Sequence, residues 1–337
     1  MFTRRTLLSL FLVGMMFLGS SAPVCASTKL TAGAIGTTSD TYMLAMGWAN
    51  ALNEVGSSVS ITPLEGGGTV QLLRGLVSNR WDIGFIGSPH YGNALAGELN
   101  FEKDPPELRE RYKKARVLFG ILSGMGQYVV RGDSDIYSVA DLKGKKISIG
   151  TPGGMAGLVT RRLFHDHGLS HENNDYSPQY LEYSTALDEM RSNLLDATLL
   201  WGGIPQVAAF NFSRQIPVRF LPINEKAFAS FKENMPGGRY YILKEYTPEN
   251  LKAVYGEEAL VQKEPANMWT FQMMVIVRED MPEEIAYEIT KQFWENLDFI
   301  KETGSALKAL DSNEALKDLS AEFHPGAVRY YKEKGWL

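Results

Sequence analysis

Short apolar runs alternate with segments of helical spacing along most of the chain. Each of five apolar runs ends at a turn that contains glycine, and the run lengths predict strands at residues 30–35, 59–64, 82–86, 146–149 and 197–200. The spacing of apolar positions after each turn predicts helices over residues 42–55, 70–79, a short stretch ending near Gly97, 155–167 and a segment beyond Pro205. Strands that alternate with helices are typical of an α/β fold, in which mainly parallel sheets are flanked by helices.

The turns after these runs are the candidate binding elements. They cover residues 36–40, 65–69, 87–89, 150–154 and 201–205. In a parallel sheet such turns lie at the carboxyl edge, where ligands bind. Glycine lets a small molecule approach the backbone, and a helix N-terminus offers unpaired N–H groups to an anion. The alternative for any single turn is an ordinary tight turn, but five in register favour a common cleft.

Composition narrows the class of protein. The chain has 337 residues, which is longer than one ordinary domain and favours two lobes with separate cores. A net charge of -5 gives no electrostatic basis for binding nucleic acid. Cys25 is the only cysteine, which excludes an intramolecular disulfide framework and a zinc ribbon.

The N-terminus has the pattern of a secretory signal peptide. Arg4 and Arg5 precede an almost wholly apolar stretch over residues 6–18, and small residues follow up to Ala26. This stretch is shorter than the ~20 residues of a membrane span, and no later apolar run is long enough to span. We therefore expect cleavage after about Ala26, loss of Cys25, and a periplasmic mature protein. The export route stays open, because the paired arginines also fit part of a twin-arginine signal.

The motifs of several enzyme classes are absent from the sequence. The glycines at 153–154 are followed by Met155 and Ala156 rather than by the Lys and hydroxyl of a phosphate loop. There is no Gly-x-Ser-x-Gly nucleophile elbow, and the mature chain would carry no thiol. His165 and His167 are interpreted as the end of a helix rather than as metal ligands. We expect a binding protein without a metal or cofactor; an enzyme is the less favoured alternative.

Two similar apolar segments predict how the lobes are joined. Residues 126–133 and 271–280 each read as an apolar strand that ends in Val-Arg and acidic residues. We interpret them as paired connectors, which makes the second lobe an insertion. The predicted lobes are residues 27–127 together with 273–337, and residues 128–272.

The C-terminal segment carries a family resemblance. Residues 323–335, Phe-His-Pro-Gly-Ala-Val-Arg-Tyr-Tyr-Lys-Glu-Lys-Gly, resemble the closing His-Pro-Gly-Ala-x-Arg-Tyr-Tyr-x-Glu-x-Gly signature of the TAXI family. Residues 138–150 resemble its central Ser-x-x-Asp-Leu-Lys-Gly-Lys segment, and residues 67–70 and 203–205 also fit. The resemblance covers nearly the whole mature chain. TAXI proteins are the solute receptors of tripartite ATP-independent periplasmic (TRAP) transporters.

The resemblance implies a fold, a function and a partner. The fold is the bilobed type II periplasmic binding fold, which closes by a hinge over a small solute. Solutes of the family are small organic anions and amino acids, which the receptor passes to the TRAP membrane permease subunits. We expect a monomer that binds no nucleic acid. A sensor subunit of the same fold, which presents a ligand to a membrane kinase or chemoreceptor, stays as an alternative.

The glycine-bearing turns contain the residues that we expect to bind the solute. Their predicted roles are hydroxyl donors, backbone contacts and apolar walls. The residues are Thr37, Thr38, Thr69 and Ser88 for the first role, Gly67, Gly68, Gly153 and Gly154 for the second, and Tyr42, Met155 and Trp201 for the third. Tyr42 opens a helical pattern, so the alternative for it is core packing.

These turns depart from the family pattern in one direction. The usual Pro-Gly-Ser-Gly-Thr is Pro-Gly-Gly-Met-Ala at residues 152–156, and the usual Gln-Ser-Asp is Gly-Ser-Pro at residues 87–89. Both changes remove polar groups, and Trp201 adds apolar area where a small residue is common. Because polar groups fix the orientation of a ligand, we predict a solute less polar than glutamate. The alternative is sequence drift, with backbone N–H groups still capturing a carboxylate.

Overall fold

The structure, a computed structural model, describes residues 27–37, 39–150, 154–304, 307–308 and 310–337. The predicted signal peptide lies outside these ranges, and so do two predicted site residues, Thr38 and Gly153. Within them strands alternate with helices, which confirms the α/β class.

The described residues form eleven strands, and each of the five predicted from the sequence is present. The last of the five extends through Trp201 to Gly202, two residues beyond the predicted end. The strands are β1 (Thr28–Ala34), β2 (Val59–Glu65), β3 (Ile83–Gly87), β4 (Ala115–Leu122), β5 (Met125–Arg131), β6 (Lys146–Ser148), β7 (Ser177–Gln179), β8 (Ala197–Gly202), β9 (Val218–Phe220), β10 (Tyr241–Tyr246) and β11 (Ala266–Arg278).

Helices follow most of the strands. They are α1 (Asp40–Glu54), α2 (Thr69–Val77), α3 (Ser88–Ala96), α4 (Pro106–Tyr112), α5 (Met155–Asp166), α6 (Tyr183–Arg191), α7 (Val207–Ser213), α8 (Glu225–Asn234), α9 (Pro248–Tyr255), α10 (Glu283–Glu295), α11 (Leu297–Lys301) and α12 (Pro325–Glu333), with 3₁₀ turns at Leu99–Phe101, Val139–Leu142 and Gly238–Tyr240. The predicted turn at 87–89 is wrong beyond Gly87, because Ser88 already begins α3. Pro89 fits there, since the first helical turn needs no N–H donor from its residues.

The sheet is mixed, which corrects the prediction of two mainly parallel sheets. The strands pair in the order β2-β1-β3-β11-β5-β8-β6-β7, with β4 and β10 also on β11 and β9 on β5. β1, β2 and β3 run parallel to one another, and so do β6, β7 and β8. The strands between these two groups, β11, β5, β4 and β10, pair in antiparallel fashion. The sequence pattern identifies strands but not the direction of their partners, so this central part was not predicted.

Strand β11 runs through both halves of the sheet. Its C-terminal part lies between β3 and β4, and its N-terminal part pairs with β10 and β5. Strands β4 and β5 are separated only by Ser123 and Gly124 and run alongside β11. The chain therefore passes from one half to the other along β4 and β5 and returns along the antiparallel strand β11. The two predicted connector segments lie mostly on β5 and β11.

Trp81 is packed against three glycines in the first half of the sheet. A methyl group on Gly33 would lie 2.5 Å from Trp81 Cδ2, one on Gly66 would lie 2.9 Å from Trp81 Cη2, and one on Gly75 would overlap the ring. The indole Nε1 donates to the Leu72 carbonyl oxygen at 2.8 Å. The indole therefore packs between α2, β1 and the end of β2 and holds them together.

The C-terminal segment that resembles the TAXI signature is part of the packing. His324 Nδ1 accepts a hydrogen bond from the Gly326 N–H at 3.2 Å and caps α12. The Tyr331 hydroxyl donates to the Leu118 carbonyl oxygen on β4 and accepts from Trp294 Nε1 at 3.2 Å. These contacts hold α12 against α10 and β4.

The packing of Trp81 gives a prediction about stability. In an exposed helix Gly→Ala is stabilising by about 1 kcal/mol, but in Gly75→Ala the new methyl group collides with a buried indole. We expect Gly75→Ala to lower the free energy of unfolding by about 1–3 kcal/mol, measured by urea denaturation. Gly84→Ala is the control, because a methyl group there makes only ordinary contacts of 3.5 Å or more. A Gly75→Ala variant as stable as the wild type would contradict this packing.

Candidate functional site

Three helices that follow parallel strands have glycine at the N-cap. The N-cap residues are Gly68 for α2, Gly87 for α3 and Gly154 for α5, and glycine offers no side chain to the first N–H groups of these helices. Their first turns contain no acidic residue. The first N–H groups of a helix have no partner within the helix, and together they attract negative charge. The turns after β2, β3 and β6 therefore present N–H groups suited to an anion.

Helix α1 differs, because its own residues cap it. Ser39 Oγ accepts a hydrogen bond from the Tyr42 N–H at 3.2 Å, and Asp40 lies in the first turn. The buried Thr41 hydroxyl oxygen accepts from the Ile35 N–H at 3.1 Å. The protein around Asp40 raises its pKa by desolvation, although part of the side chain reaches solvent. The N-terminus of α1 is thus occupied by the protein's own groups.

Phe271 on β11 joins the turns of the two halves. Its ring contacts His90 edge to face, with 5.0 Å between centroids, and stacks on Trp201 at 5.2 Å. Tyr241 on β10 contacts the same ring edge to face at 5.8 Å. The end of β8 and the first turn of α3 therefore meet at one buried aromatic ring. We refer to the region near the carboxyl ends of β1, β2, β3, β6 and β8, where the sequence predicts a solute cleft, as the cleft.

The short connection between β4 and β5 also contacts the end of β8. A methyl group on Gly124 would lie 2.9 Å from both Gly202 Cα and Trp201 Nε1, so a larger residue would push β8 away. Gln127 on β5 is buried, and its Nε2 donates to the carbonyl oxygens of Gly202 at 3.1 Å and Gly203 at 3.2 Å. These contacts fix the turn after β8 against the strands that link the two halves.

His90 lies between the first turn of α2 and Phe271. It is only 6% exposed, and its Nδ1 lies 3.5 Å from Thr69 Oγ1. Its Nε2 is buried and has no hydrogen-bond partner among the described residues. Burial lowers the pKa of His90 from 6.5 to about 4, because the charged imidazolium is poorly solvated there. The imidazole is therefore neutral at physiological pH.

Two further polar side chains in α3 are buried without partners. Within the described part of the chain, neither Ser88 Oγ nor the amide atoms of Asn93 make a hydrogen bond. The backbone oxygen of Ser88 accepts from the Ser320 hydroxyl at 2.8 Å. Buried polar atoms are usually paired, so an unpaired set marks a place for ordered water or a ligand. The first turns of α3 concentrate such groups near the end of β3.

The structure brings some of the predicted site residues into these contacts. Thr69 lies beside His90, and Trp201 stacks on Phe271. Gly68 and Gly154 are the N-cap residues of α2 and α5, and neither offers a side chain to the first N–H groups of its helix.

Other predicted residues are placed differently. Ser88 is fully buried, whereas Thr37 and Gly67 are exposed. Gly67 has a φ of 87°, a conformation that favours glycine and accounts for that residue by backbone geometry alone. Tyr42 and Met155 are half-buried and pack against the main core, so core packing contributes to both.

Sequence reasoning did not identify Phe271 or Gln127 as part of the site. His90 directly follows a predicted glycine-bearing turn, but its partners come from α2 and from β11, far away in the chain. The one available signal for Phe271 is that it opens a predicted connector segment. Proximity created by the central antiparallel strands could not be derived from local periodicity.

The cleft turns carry acidic residues but no Lys or Arg. The charged residues within segments 35–41, 65–69, 87–93, 149–156 and 200–206 are Asp40 and Glu65. Glu65 reaches across the turn after β1, since a methyl group on Gly36 would lie 3.3 Å from its Oε1. An anion bound here would be held by N–H and hydroxyl groups, and a second negative charge would be repelled by the carboxylates.

The described residues contain neither a group arranged to bind a metal ion nor a helix that could span a membrane. Among residues 27–37, 39–150, 154–304, 307–308 and 310–337, no group of three His, Cys, Asp or Glu side chains is arranged to hold a metal ion. His167, which the sequence raises as a metal candidate, donates from Nδ1 to the Leu163 carbonyl oxygen and accepts at Nε2 from the Asn224 N–H. In the same ranges no helix is both long and apolar enough to cross a membrane.

Comparison with known proteins identifies the family. A model of the NMT1-like family matches residues 31–335, which is most of the chain. The chain belongs to the NMT1-like family. The match spans the cleft turns as well as the C-terminal helix.

Solved structures with partial similarity include several periplasmic receptors. The aliphatic sulphonate binding protein of Escherichia coli shares 16% identity over 90% of this chain and 78% of that one, with a TM-score of 0.45. A putative periplasmic sulfonate-binding protein of Methylobacillus flagellatus shares 14% over 92% and 88%, with a TM-score of 0.49. A TRAP solute binding protein of Pseudomonas aeruginosa with bound L-malate shares 13% over 83% and 87%, with a TM-score of 0.41. Similarity at this level does not assign a ligand to an NMT1-like chain.

The lowered pKa of His90 predicts a pH dependence of stability. The folded state holds the neutral form, while the unfolded chain binds a proton near pH 6.5, so stability is complete above about 6.5 and falls toward pH 4. The loss attributable to His90 between pH 7 and 4.5 is on the order of 2 to 3 kcal/mol.

Urea denaturation at both pH values checks this prediction. The fall in unfolding free energy should be smaller in His90→Asn than in the wild type by that amount. His165→Asn, at an exposed position on α5, is the matched control and should keep the wild-type slope. If the unfolding free energy of His90→Asn falls between the two pH values as much as that of the wild type, the result would contradict a neutral buried imidazole.

Proposed function

We propose that this NMT1-like chain is an exported solute receptor of the TAXI type. It binds a small organic acid or amino acid in the cleft and delivers it to the membrane subunits of a TRAP transporter. The observation that carries the proposal is the set of three glycine-capped helix N-termini at α2, α3 and α5, together with an aromatic junction at Phe271 that α3 contacts through His90. Uncapped N–H groups hold an acidic group, and the aromatic rings hold an apolar body.

The proposed receptor has two lobes that close over the solute. Residues 27–127 with 273–337 form the first lobe, and residues 128–272 form the second. The chain crosses between them after Gln127 and after Gln272, close to the Ser123–Gly124 connection and to Phe271, where the strands that link the halves run side by side. A hinge at these two points moves the turn after β8 toward the turns after β2 and β3. Gly124 supports this role, because its lack of a side chain allows the close approach to Gly202.

The proposed solute carries one acidic group on an apolar body. The absence of Lys and Arg from the cleft turns removes the cations that dicarboxylate recognition commonly uses. Asp40 and Glu65 disfavour a second negative charge, and they offer a partner for an amino group. Trp201 supplies a half-buried indole at the wall. An apolar or aromatic carboxylate or amino acid fits these features better than glutamate does.

The proposed location and partner rest on the sequence. Residues 1–26 fit a signal peptide, and residues 323–335 fit the TAXI signature, which supports export and a TRAP permease. The sequence contains neither a phosphate loop nor a Gly-x-Ser-x-Gly nucleophile elbow, and we propose binding without turnover. A solute recovered chemically unchanged after incubation with the protein would agree with this role.

Binding of matched acids tests the proposed solute class. We expect phenylacetate to raise the melting temperature and to bind in calorimetry, and phenylmalonate, with the same ring and a second carboxylate, to bind at least about tenfold more weakly. A ligand at one hundred times its Kd adds about 2.7 kcal/mol of stability, which a thermal shift detects. L-phenylalanine and L-glutamate form a second pair.

A wall variant provides the structural control. Trp201→Leu should weaken phenylacetate binding, whereas Trp336→Leu, the same change near the C-terminus, should leave it unaltered. Tight glutamate binding without any response to the apolar acids would refute the solute class. Flat melting curves with every acid and amino acid would refute the receptor role itself.

Reconstituted transport tests the proposed partner. Proteoliposomes containing the TRAP permease subunits of the same organism should accumulate the labelled solute only when this protein is added outside. Accumulation should need an ion gradient and proceed without ATP, because TRAP transport is ATP-independent. Uptake that requires an ATP-hydrolysing transporter instead would show that the receptor serves a different class of permease.

A further inference from the structure

Thr69 and His90 form a hydrogen-bonded pair at the start of α2. Thr69 is the first residue of α2 and is half-buried, whereas His90 behind it is buried. Thr69 Oγ1 lies 3.5 Å from His90 Nδ1, and the imidazole contacts Phe271 in a T-shaped arrangement. His90 itself is buried, but it contacts Thr69, which is half-buried.

The tautomer of His90 decides what the Thr69 hydroxyl can do. If Nδ1 carries the proton, it donates to Thr69 Oγ1, and the hydroxyl hydrogen is free to donate into the cleft. If Nε2 carries the proton, Nδ1 accepts the hydroxyl hydrogen, and Thr69 offers only lone pairs to a solute. The two tautomers thus select opposite kinds of solute group.

The surroundings of His90 favour the proton on Nδ1. Nε2 is buried and has no partner in the described part of the chain, so a proton there would be an unpaired buried donor. Unpaired buried N–H donors are rarer in folded proteins than under-satisfied acceptors. Desolvation is the cause of the lowered pKa of His90, which keeps the ring neutral, with one proton to place.

We propose that His90 is a positioning residue that makes the Thr69 hydroxyl a hydrogen-bond donor for the acidic group of the solute. The inference rests on the proposed receptor function and adds a specificity-determining pair to it. The donated hydroxyl lies at the uncapped N-terminus of α2, where backbone N–H groups also favour an anion. Specificity for an acid over an ammonium group at this point then comes from a buried imidazole that the solute never contacts.

Imidazole NMR of the protein without solute tests the tautomer directly. The chain has five histidines, and the His90 signals are assigned by their loss in His90→Asn. We expect a protonated, pyrrole-type Nδ1 and an unprotonated, pyridine-type Nε2 from pH 8 to pH 5. A protonated Nε2, or a ring that gains its second proton near pH 6.5, overturns the inference whether or not any solute binds.

Two isosteric variants test the effect on binding, with phenylacetate as the probe. Asn places an amide N–H close to the position of Nδ1, whereas Gln places one close to Nε2. His90→Asn should keep the affinity within about threefold, and His90→Gln and Thr69→Val should each weaken it about tenfold. Thr69→Ser, which keeps the hydroxyl, should bind like the wild type.

The double variant separates positioning from mere structural support. His90→Gln combined with Thr69→Val should be no weaker than Thr69→Val alone, because His90 acts through the hydroxyl. Additive losses, or equal losses in His90→Asn and His90→Gln, overturn the inference and leave the receptor proposal intact. If neither phenylacetate nor any other acid binds the wild type, the receptor proposal and this inference fall together.

Discussion

The pairing of β11 on both of its edges is the constraint on which the rest of the structure depends. A buried strand must satisfy its N–H and C=O groups, and the thirteen residues of β11 do so with β3 and β4 in one half and with β10 and β5 in the other. One strand thereby sets the relative position of two parallel groups of strands that share no other direct pairing among the described residues. Phe271 lies where the partners change, and for this reason its ring can contact His90 and Trp201 at once.

This arrangement gives a physical basis for the proposal that a cleft whose turns carry no Lys or Arg binds an acid. The parallel strands on either side point their carboxyl ends toward the junction, so the helices that follow them begin there. Glycine at three N-caps leaves the first N–H groups without side-chain partners. Partial charges of helix ends are fixed by the backbone and need no counter-ion, while Asp40 and Glu65 limit the total negative charge that the cleft accepts. Selectivity in such a site depends on hydroxyl orientation and shape more than on ion pairing.

Local patterns predicted the local elements well and the long-range ones poorly. The five strand–turn–helix units were identified because hydrophobic period and glycine punctuation are properties of neighbouring residues. The central antiparallel strands were missed as sheet partners, since direction depends on residues far apart in the chain. The same limit applies to the candidate site: the turns that contain Gly68 and Gly154 were predicted from the sequence, but the pairing of Thr69 with His90 and of Trp201 with Phe271 needed the fold. The C-terminal signature identified a resemblance through residues such as His324 and Tyr331, whose contacts serve packing rather than binding.

The position of β11 near the end of the chain has a consequence for the order of folding. Strand β3 ends at Gly87, yet the strand that completes its edge begins at Ala266, and α12, which packs on β4, begins at Pro325. A chain emerging from the ribosome or from an export channel therefore exposes the open edges of β3 and β4 until nearly all of it has appeared. Long-range pairing of this kind is slow to form, and open edges invite pairing with other chains. The first half of the molecule therefore stays incomplete until its last residues arrive.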